Sequence, residues 1–385
     1  MELTILALNI AQLKFNNRRD AMTPAATATI DLSALRHNLR RVYSAAPGCR
    51  VAVALKANAY GHGLLRTARA LAAADAFAVA RCDEALALRE AGVRHPILVL
   101  EGFLQPEEVA LCQQYELQAT IHHESQLRML ELATLERPLS IWLKIDSGMH
   151  RLGFAPNRVP DALERLAACS NAAPHPRLMS HLARADDRED DYTRQQLDTF
   201  KAVTQGRMAE RSLANSGGIL GWPETHFDWV RPGIMLYGCS PFQQGDGAEQ
   251  GLHPVMTLTS RLIAIQHYAA GEPVGYGGSW RCPQASRIGV VAIGYGDGYP
   301  RHAPSGTPVL VNGQRAALVG RVSMDMITVD LTALPHAQIS DPVVLWGNGL
   351  PVEEVAQQAG SITYELFCKV TPRVVVVESE GDGAA

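Results

Sequence analysis

The sequence predicts an α/β barrel followed by a mostly β domain. Between about residue 28 and residue 240, short apolar runs alternate with Ala-, Leu- and Arg-rich stretches that suit helices. After about Val255 the helical stretches nearly vanish and β-type runs follow one another with turns between them. At 385 residues the chain also exceeds a single ordinary core, so two domains are expected.

The first part contains eight apolar runs, and the first seven are each followed by a predicted helix, such as 63–73, 83–91, 106–115 and 124–135. The runs are 51–55, 76–80, 97–100, 118–121, 139–145, 177–182, 211–214 and a last one near 227–236. Short uninterrupted apolar strands with helices between them indicate parallel strands that are buried on both faces. Eight such units over roughly 200 residues fit a (β/α)₈ barrel, of the TIM type, and a doubly wound open sheet is the alternative.

The second part reads as antiparallel β structure. Asn312-Gly313 stands between two apolar runs and predicts a hairpin with a primed turn. Only residues 351–359 have a helical pattern. We therefore expect a barrel over residues 23–254 and a β domain over 255–385. Residues 1–22 do not read as a signal peptide, because Glu2 stands where a signal peptide would be basic. We expect them to be an N-terminal extension without order.

Composition excludes several classes of partner. The net charge is −4 and no apolar run approaches the length of a membrane span, so neither nucleic acid nor a membrane is expected. The seven cysteines are scattered, odd in number and form no CxxC pair. We therefore expect no metal site and no disulfide framework, and a reducing, cytoplasmic compartment.

Polar residues follow the predicted barrel strands, where barrel enzymes carry their active sites. Lys56 directly follows the run 51–55, and burial there would lower its pKa and favour a nucleophilic amine. The other residues of this kind are Arg151, His181, Asn215, Ser216, Arg231 and Gly233. Five strands thus direct polar groups to one end of the barrel.

The string VALKANAYGHG, residues 53–63, closely resembles the cofactor-lysine segment of alanine racemases. Eight further strings resemble that family in the same order, over roughly residues 26–378: DSGMHRLG, HLARAD, ANSGGIL, WVRPGIMLYG, PVGYGGSW, VAIGYGDGYPR, GRVSMDM and ITYEL. The match is closest to the bacterial biosynthetic type. The resemblance implies a fold-type III enzyme that depends on pyridoxal 5'-phosphate, works as a head-to-tail homodimer and supplies D-alanine for peptidoglycan.

The resemblance also implies a role for each site residue. Lys56 would hold the cofactor covalently and act as the base on the D side of alanine, and Tyr276 of the other subunit would be the base on the opposite face. Arg231 would face the pyridine nitrogen, in a polar network with His181. The cofactor phosphate would be bound by Tyr60, Ser216, Gly233, Ile234 and Tyr364, and Asn215 would support the cofactor ring. Arg151 and Met324 would bind the substrate carboxylate, and Lys144 would be carbamylated. Asp325 would support Tyr276, and Tyr295 would narrow the entrance to the site.

Three other functions remain open at this point. A racemase of serine or of broad specificity would share the same chemistry, although Tyr364, Tyr295 and Met324 suggest a pocket for a methyl group. A related amino-acid decarboxylase shares the architecture, but its own pattern is not evident. A non-catalytic pyridoxal-phosphate carrier would consist of the barrel alone, which the second domain argues against.

Overall fold

The computed structural model describes residues 24–381, so the expectations about residues 1–22 fall outside it. The described residues form two compact units. Among the described residues, the barrel unit comprises residues 30–257, 351–369 and 378–381. The sheet unit comprises residues 24–29, 258–350 and 370–377. The predicted boundary near residue 255 stays a prediction.

Eight parallel strands close the barrel, each pairing with the next and the last with the first. The strands are β2 (Arg50–Ala54), β3 (Ala76–Val79), β4 (Ile97–Val99), β5 (Leu117–Ile121), β6 (Ile141–Lys144), β7 (Arg177–Met179), β8 (Arg211–Ser212) and β9 (Trp229–Val230). Nearly every residue of these runs is buried, as expected for strands covered on both faces. The barrel prediction is confirmed, and the alternative of an open sheet is wrong because β9 pairs with β2.

Helices follow the strands around the barrel, and one precedes them. They are α1 (Leu32–Ala45), α2 (Leu64–Ala70), α3 (Cys82–Glu90), α4 (Pro106–Gln114), α5 (Glu124–Leu132), α6 (Val159–Ala168), α7 (Tyr192–Thr204) and α8 (Ser216–Gly221). Local residues explain several starts: the Asp31 side chain accepts a hydrogen bond from Ala34 N at 2.9 Å, and Pro106 occupies the first turn of α4.

Aromatic and ionic side chains fill the amino-terminal end of the barrel. Trp142 and Trp229 pack edge to face at 5.9 Å between ring centroids, inside a cluster of buried alanines and Met179. The Arg50 guanidinium lies 4.3 Å from the Trp229 ring centroid, and Glu210 pairs with both Arg50 and Arg177. This end is therefore filled, which leaves the carboxyl end of the strands for a cavity.

The sheet unit is built on a large sheet with eight strands: β1 (Thr27–Asp31), β10 (Met256–Tyr268), β13 (Ser286–Val291), β14 (Pro308–Val311), β15 (Gln314–Leu318), β16 (Ile327–Asp330), β17 (Pro342–Trp346) and β18 (Val375–Ser379). Their order in the sheet is β13-β16-β15-β14-β17-β10-β1-β18. A separate pair is formed by β11 (Pro273–Val274) and β12 (Trp280–Arg281). The predicted hairpin is confirmed: Asn312 and Gly313 both have positive φ, at 49° and 75°, between β14 and β15.

The late helical content was underestimated from the sequence. The predicted helix at 351–359 is present as α9 (Val352–Gln358), but a second helix, α10 (Thr363–Lys369), follows it. Both belong to the barrel unit. Between residues 24 and 381, no helix combines the length and the apolarity that crossing a membrane requires.

Candidate active site

A cavity of about 1080 Å³ lies within the barrel unit, at the carboxyl ends of the strands. Seven of the eight strands contribute residues to its wall, either from the strand end or from the loop that follows. All the predicted site residues that the structure places in this unit line it, including Tyr364, which the sequence analysis had placed in the β domain: Lys56, Tyr60, Lys144, Arg151, His181, Asn215, Ser216, Arg231, Gly233, Ile234 and Tyr364. The barrel geometry has therefore brought together residues that lie up to 308 positions apart in the sequence.

The cavity wall carries a concentration of positive charge. Burial, reinforced by the neighbouring Arg151, lowers the pKa of the Lys56 amine. Burial and then the Arg231 charge lower the pKa of Lys144 to about 8, and the same two causes hold the pKa of His181 well below its usual range. Each shift favours the uncharged form, because a cation in this wall loses hydration and faces other cations. The cavity therefore suits an anionic ligand.

Arg231 is the most tightly held of these cations. Only 7% of its surface is exposed, and its guanidinium donates hydrogen bonds to the Ser212 hydroxyl and to the carbonyl oxygens of Ser180 and Leu213. Burial lowers its pKa to about 10, which still leaves the side chain charged near neutral pH. Acceptors at the carboxyl ends of β7 and β8 thus fix a cationic donor in the cavity wall.

A polar recess forms beside Ser216, at the point where β9 ends. The Ser216 hydroxyl accepts hydrogen bonds from the backbone N–H groups of Gly233, at 2.9 Å, and Met235, at 3.4 Å. A Cβ on Gly233 would fall only 2.6 Å from the Tyr60 hydroxyl oxygen, so glycine is what allows the backbone to come this close. The Tyr364 ring lies 5.7 Å from the Tyr60 ring between centroids. We refer to Tyr60, Ser216, Gly233, Ile234 and Tyr364 as the hydroxyl recess.

Four predicted residues belong to the sheet unit. Tyr276 lies in a short turn between β11 and β12, flanked by glycines, and 67% of its surface is exposed. Tyr295 and Met324 lie on neighbouring backbone segments, since Tyr295 N donates to Ser323 O at 3.0 Å and Gly296 N donates to Met324 O at 2.8 Å. Asp325 accepts a hydrogen bond from Arg373 at 2.8 Å. All four residues are exposed within the single chain.

Comparison with known proteins identifies the family over most of the chain. The N-terminal domain of alanine racemase matches residues 30–241, and the C-terminal domain of alanine racemase matches residues 255–378. The chain belongs to the alanine racemase family. Members of this family are isomerases.

Individual relatives agree with this assignment. The chain is 54% identical to an alanine racemase from Nitrosococcus oceani over 347 residues, which are 90% of this chain and 97% of that protein. Its structure is similar to the biosynthetic alanine racemase of Pseudomonas aeruginosa, with a TM-score of 0.91, 47% identity, and coverage of 93% of this chain and 100% of that one. An alanine racemase from Bartonella henselae, solved with covalently bound pyridoxal phosphate, has a TM-score of 0.83 and 30% identity, over 93% of this chain and 100% of that one.

The cavity also contains residues that the sequence analysis missed. Glu101 lies two residues beyond the end of β4 and lines the cavity, and its carboxylate is a counter-charge to Lys56 and Lys144. The rule that barrel sites lie at strand ends would have found it, because it comes one residue after the apolar run 97–100. Glu353 also lines the cavity, and it accepts hydrogen bonds from Ser240 N and Gly247 N at 2.9 and 3.0 Å. No local pattern in the sequence pointed to Glu353.

Proposed function

We propose that this chain interconverts L-alanine and D-alanine, using pyridoxal 5'-phosphate bound to Lys56 and a second base, Tyr276, from the partner subunit of a homodimer. The observation that carries the proposal is the position of the Lys56 amine. The amine lies in the cavity at the carboxyl end of the barrel, where burial and the charge of Arg151 lower its pKa. The chain that carries it belongs to the alanine racemase family. The covalent cofactor of the Bartonella relative supports the choice of cofactor.

The donor set of the cavity fits this cofactor. Pyridoxal phosphate carries a phosphate dianion and a phenolic oxygen, and the cavity offers Arg151, Arg231 and the hydroxyl recess. Lys56 would hold the cofactor covalently, the hydroxyl recess would hold the phosphate, and Arg151 would meet the phenolic oxygen. Asn215 and His181 would support the ring. When bound, the cofactor withdraws electron density from the substrate and so acidifies the hydrogen on Cα.

Racemisation requires two proton-transfer groups, because a proton must leave one face of Cα and another must return to the opposite face. Lys56 can take or give the proton on the D side, since its lowered pKa leaves more of the amine uncharged. Tyr276 would do the same on the L side. A phenol with an ordinary pKa near ~10 is a weak base at neutral pH, so it needs cations close by in the assembled dimer.

Arg231 would favour racemisation over side reactions. Guanidinium has only donor groups, so a pyridine nitrogen that faces it stays an acceptor and stays unprotonated. The electron sink is then weaker than it would be opposite a carboxylate, and the proton returns to Cα more often than it is lost to transamination. The three acceptors that hold Arg231 keep its orientation fixed for this task.

Lys144 and Arg151 would handle the negative charges of the substrate site. Arg151, with the backbone N–H of Met324, would bind the substrate carboxylate. The pKa of Lys144, at about 8, leaves a share of the amine uncharged at neutral pH. Such an amine can add to carbon dioxide, which forms an N–C bond, releases one proton and yields an anionic carbamate. That anion would offset the Arg231 and Arg151 charges and orient Arg151.

Substrate size is the point on which the rival racemases differ. Tyr295, Met324 and Tyr364 would leave room for the methyl group of alanine, and the side chain of serine is larger than this methyl group by only one oxygen.

A biosynthetic role, the supply of D-alanine for peptidoglycan, is proposed because the chain is similar to a biosynthetic alanine racemase. A cytoplasmic location is proposed with it, since the seven cysteines are all unpaired thiols.

A substrate panel tests the proposal. The full-length protein with cofactor is given L-alanine, D-alanine or L-serine, and the products are separated by chiral chromatography. We expect D-alanine from L-alanine at a rate well above that for serine, loss of nearly all activity in Lys56→Ala, and a steep fall in Tyr276→Phe. Tyr268→Phe, which changes another exposed tyrosine of the sheet unit, should leave the rate unchanged.

Mixing the two inactive variants tests the shared site. A mixed dimer of Lys56→Ala and Tyr276→Phe has one site with both groups intact and one site with neither. Random exchange makes about half of all dimers mixed, so up to about a quarter of all active sites should be functional. If subunit exchange is verified and activity does not return, Tyr276 does not act across subunits. A parent protein that forms no D-alanine, or a Lys56→Ala variant that still does, would refute the proposed activity.

A further inference from the structure

The backbone directly after Lys56 has an uncommon conformation. Four consecutive residues that are not glycine, from Ala57 to Tyr60, have φ between 52° and 54°. Together they form one turn of left-handed helix, the hand that L-residues avoid because Cβ approaches the next carbonyl oxygen. Each such residue costs roughly 1–2 kcal/mol, so this turn needs strong contacts to hold it. It directly follows Lys56 in the chain and ends at Tyr60 of the hydroxyl recess.

Part of the support for this turn comes from its own residues. Asn58 Oδ1 accepts a hydrogen bond from Leu64 N at 2.8 Å, and the backbone N–H groups of Gly61 and Gly63 donate back to Ala57 and Asn58. His62 is fully buried, and its Nδ1 lies 2.9 Å from the Tyr60 carbonyl oxygen. These contacts close the end of the turn near Tyr60. None of these contacts engages the N–H group of the peptide that joins Lys56 to Ala57.

Glu84 makes the contact that fixes this peptide. Its Oε1 accepts a hydrogen bond of 2.6 Å from the Ala57 N–H, while its Oε2 accepts one of 2.8 Å from the Ala80 N–H. A carboxylate that accepts from two backbone donors makes stronger bonds than a neutral acceptor would. Ala80 lies just beyond the end of β3 and lines the cavity, so one side chain connects the turn after β2 to the loop after β3.

We propose that Glu84 is a positioning residue, which holds the peptide after Lys56 and thereby sets the direction in which the Lys56 side chain enters the cavity. The proposal rests on the role of Lys56 proposed above. Glu84 itself is not among the residues that line the cavity, so it would act through the backbone next to Lys56. Its carboxylate also adds a negative charge near the Lys56 amine, of the sign that opposes the effect of Arg151.

A simpler role for Glu84 is the capping of its own helix. Glu84 stands in the first turn of α3, and its Oε2 lies 3.4 Å from the Arg81 N–H, which a capping residue would contact. The two roles differ in where they act. A cap stabilises residues 82–90 alone, whereas a positioning residue also protects the amides that follow Lys56.

Hydrogen–deuterium exchange separates the two roles, measured on the full-length holoenzyme without substrate. In Glu84→Ala the peptide that covers residues 56–63 should exchange roughly tenfold faster or more, since a charge-assisted hydrogen bond is lost. Glu84→Gln should lie between Ala and the parent, because its amide oxygen can still accept one bond. Asp83→Asn is the matched control: it removes an exposed carboxylate from the same helical turn, and we expect no change at 56–63.

Steady-state kinetics complete the test. Misdirection of the Lys56 amine should lower kcat roughly tenfold or more in Glu84→Ala with little change in KM, and Glu84→Gln should recover part of kcat. Faster exchange confined to residues 82–90, or an equal response in Asp83→Asn, would overturn the positioning role. That result would leave the proposed activity standing, because Lys56→Ala and the substrate panel test the activity separately.

Discussion

Replacing Gly233 with alanine tests how closely the backbone must approach Tyr60 in the hydroxyl recess. Gly233 has φ −125° and ψ −96°, a pair outside the regions that L-residues favour, so alanine there carries some backbone strain whatever residue stands at position 60. The added Cβ would also fall 2.6 Å from the Tyr60 hydroxyl oxygen and 3.3 Å from Cζ of the same ring. Real Cβ atoms do not approach an oxygen so closely. Either Tyr60 or the backbone segment that follows β9 must therefore move.

The cost of this movement can be bounded. Overpacking of a dense site by one methyl group costs about 1–3 kcal/mol, and each 1.4 kcal/mol corresponds to roughly tenfold in an equilibrium constant. Tyr60 is itself 7% exposed and packs against Tyr237 at 4.8 Å between ring centroids, so it has little space to move away. We therefore expect Gly233→Ala to weaken cofactor binding by roughly tenfold or more.

A double-mutant cycle with Tyr60→Phe isolates the clash. Phenylalanine lacks the hydroxyl oxygen at 2.6 Å and leaves the ring carbon at 3.3 Å, a contact that small adjustments can absorb. Gly233→Ala should therefore cost much less in the Tyr60→Phe background than in the parent. The cofactor dissociation constant is measured by titration for the parent, the two single variants and the double variant. Costs that add to within about 0.5 kcal/mol would refute the reasoning, since residues in contact should show coupling.

Two further predictions concern stability. Burial lowers the pKa of Lys144 from 10.5 to about 8, so between these pH values the unfolded chain binds more protons than the native protein and stability rises with pH. Lys144→Met should remove up to about 3 kcal/mol of that rise in urea unfolding without carbon dioxide, and an unchanged pH slope would contradict the assigned burial. Gly61→Ala should destabilise the protein by at least about 2 kcal/mol, because its Cβ would lie 2.2 Å from the Phe367 carbonyl oxygen at a φ of +79°. Gly360→Ala, with φ of +62° and open space around it, should cost only the backbone strain of about 1 kcal/mol, and equal losses would show that the close approach is unimportant.

The strands and the hairpin could be predicted because their determinants are local. Strands β2 to β4 are uninterrupted apolar runs, and each begins and ends within one or two residues of the prediction. The turn at Asn312-Gly313 needs two positive φ values, which these residue types accept without help from the rest of the fold. Helix α10 was missed because its seven residues, TYELFCK, are too few for a helical period to stand out and include residues that favour strands.

The location of the candidate site could be predicted in part. The barrel rule, together with the position of Lys56, Arg151, His181 and Arg231 after predicted strands, placed these side chains at one end of the barrel, where the cavity is found. Their chemical roles came from the resemblance to a family and remain proposals. The lowered pKa of Lys144 was beyond reach of the sequence, because it results from burial and from the Arg231 charge, 87 positions further along the chain.

By itself, the sequence determined the two-part architecture, the barrel, the family and the residues able to carry acid–base chemistry, since each of these is written in local periodicity or in contiguous strings. Only the tertiary structure decided how those residues are held. The left-handed turn at Ala57–Tyr60 has no residue that favours it apart from Asn58, and its first peptide is fixed by Glu84, which lies 27 positions away. Arg231 likewise receives its orientation from acceptors on neighbouring strands. These contacts form only when folding brings together residues that are far apart in the sequence, so no short stretch of sequence contains both partners.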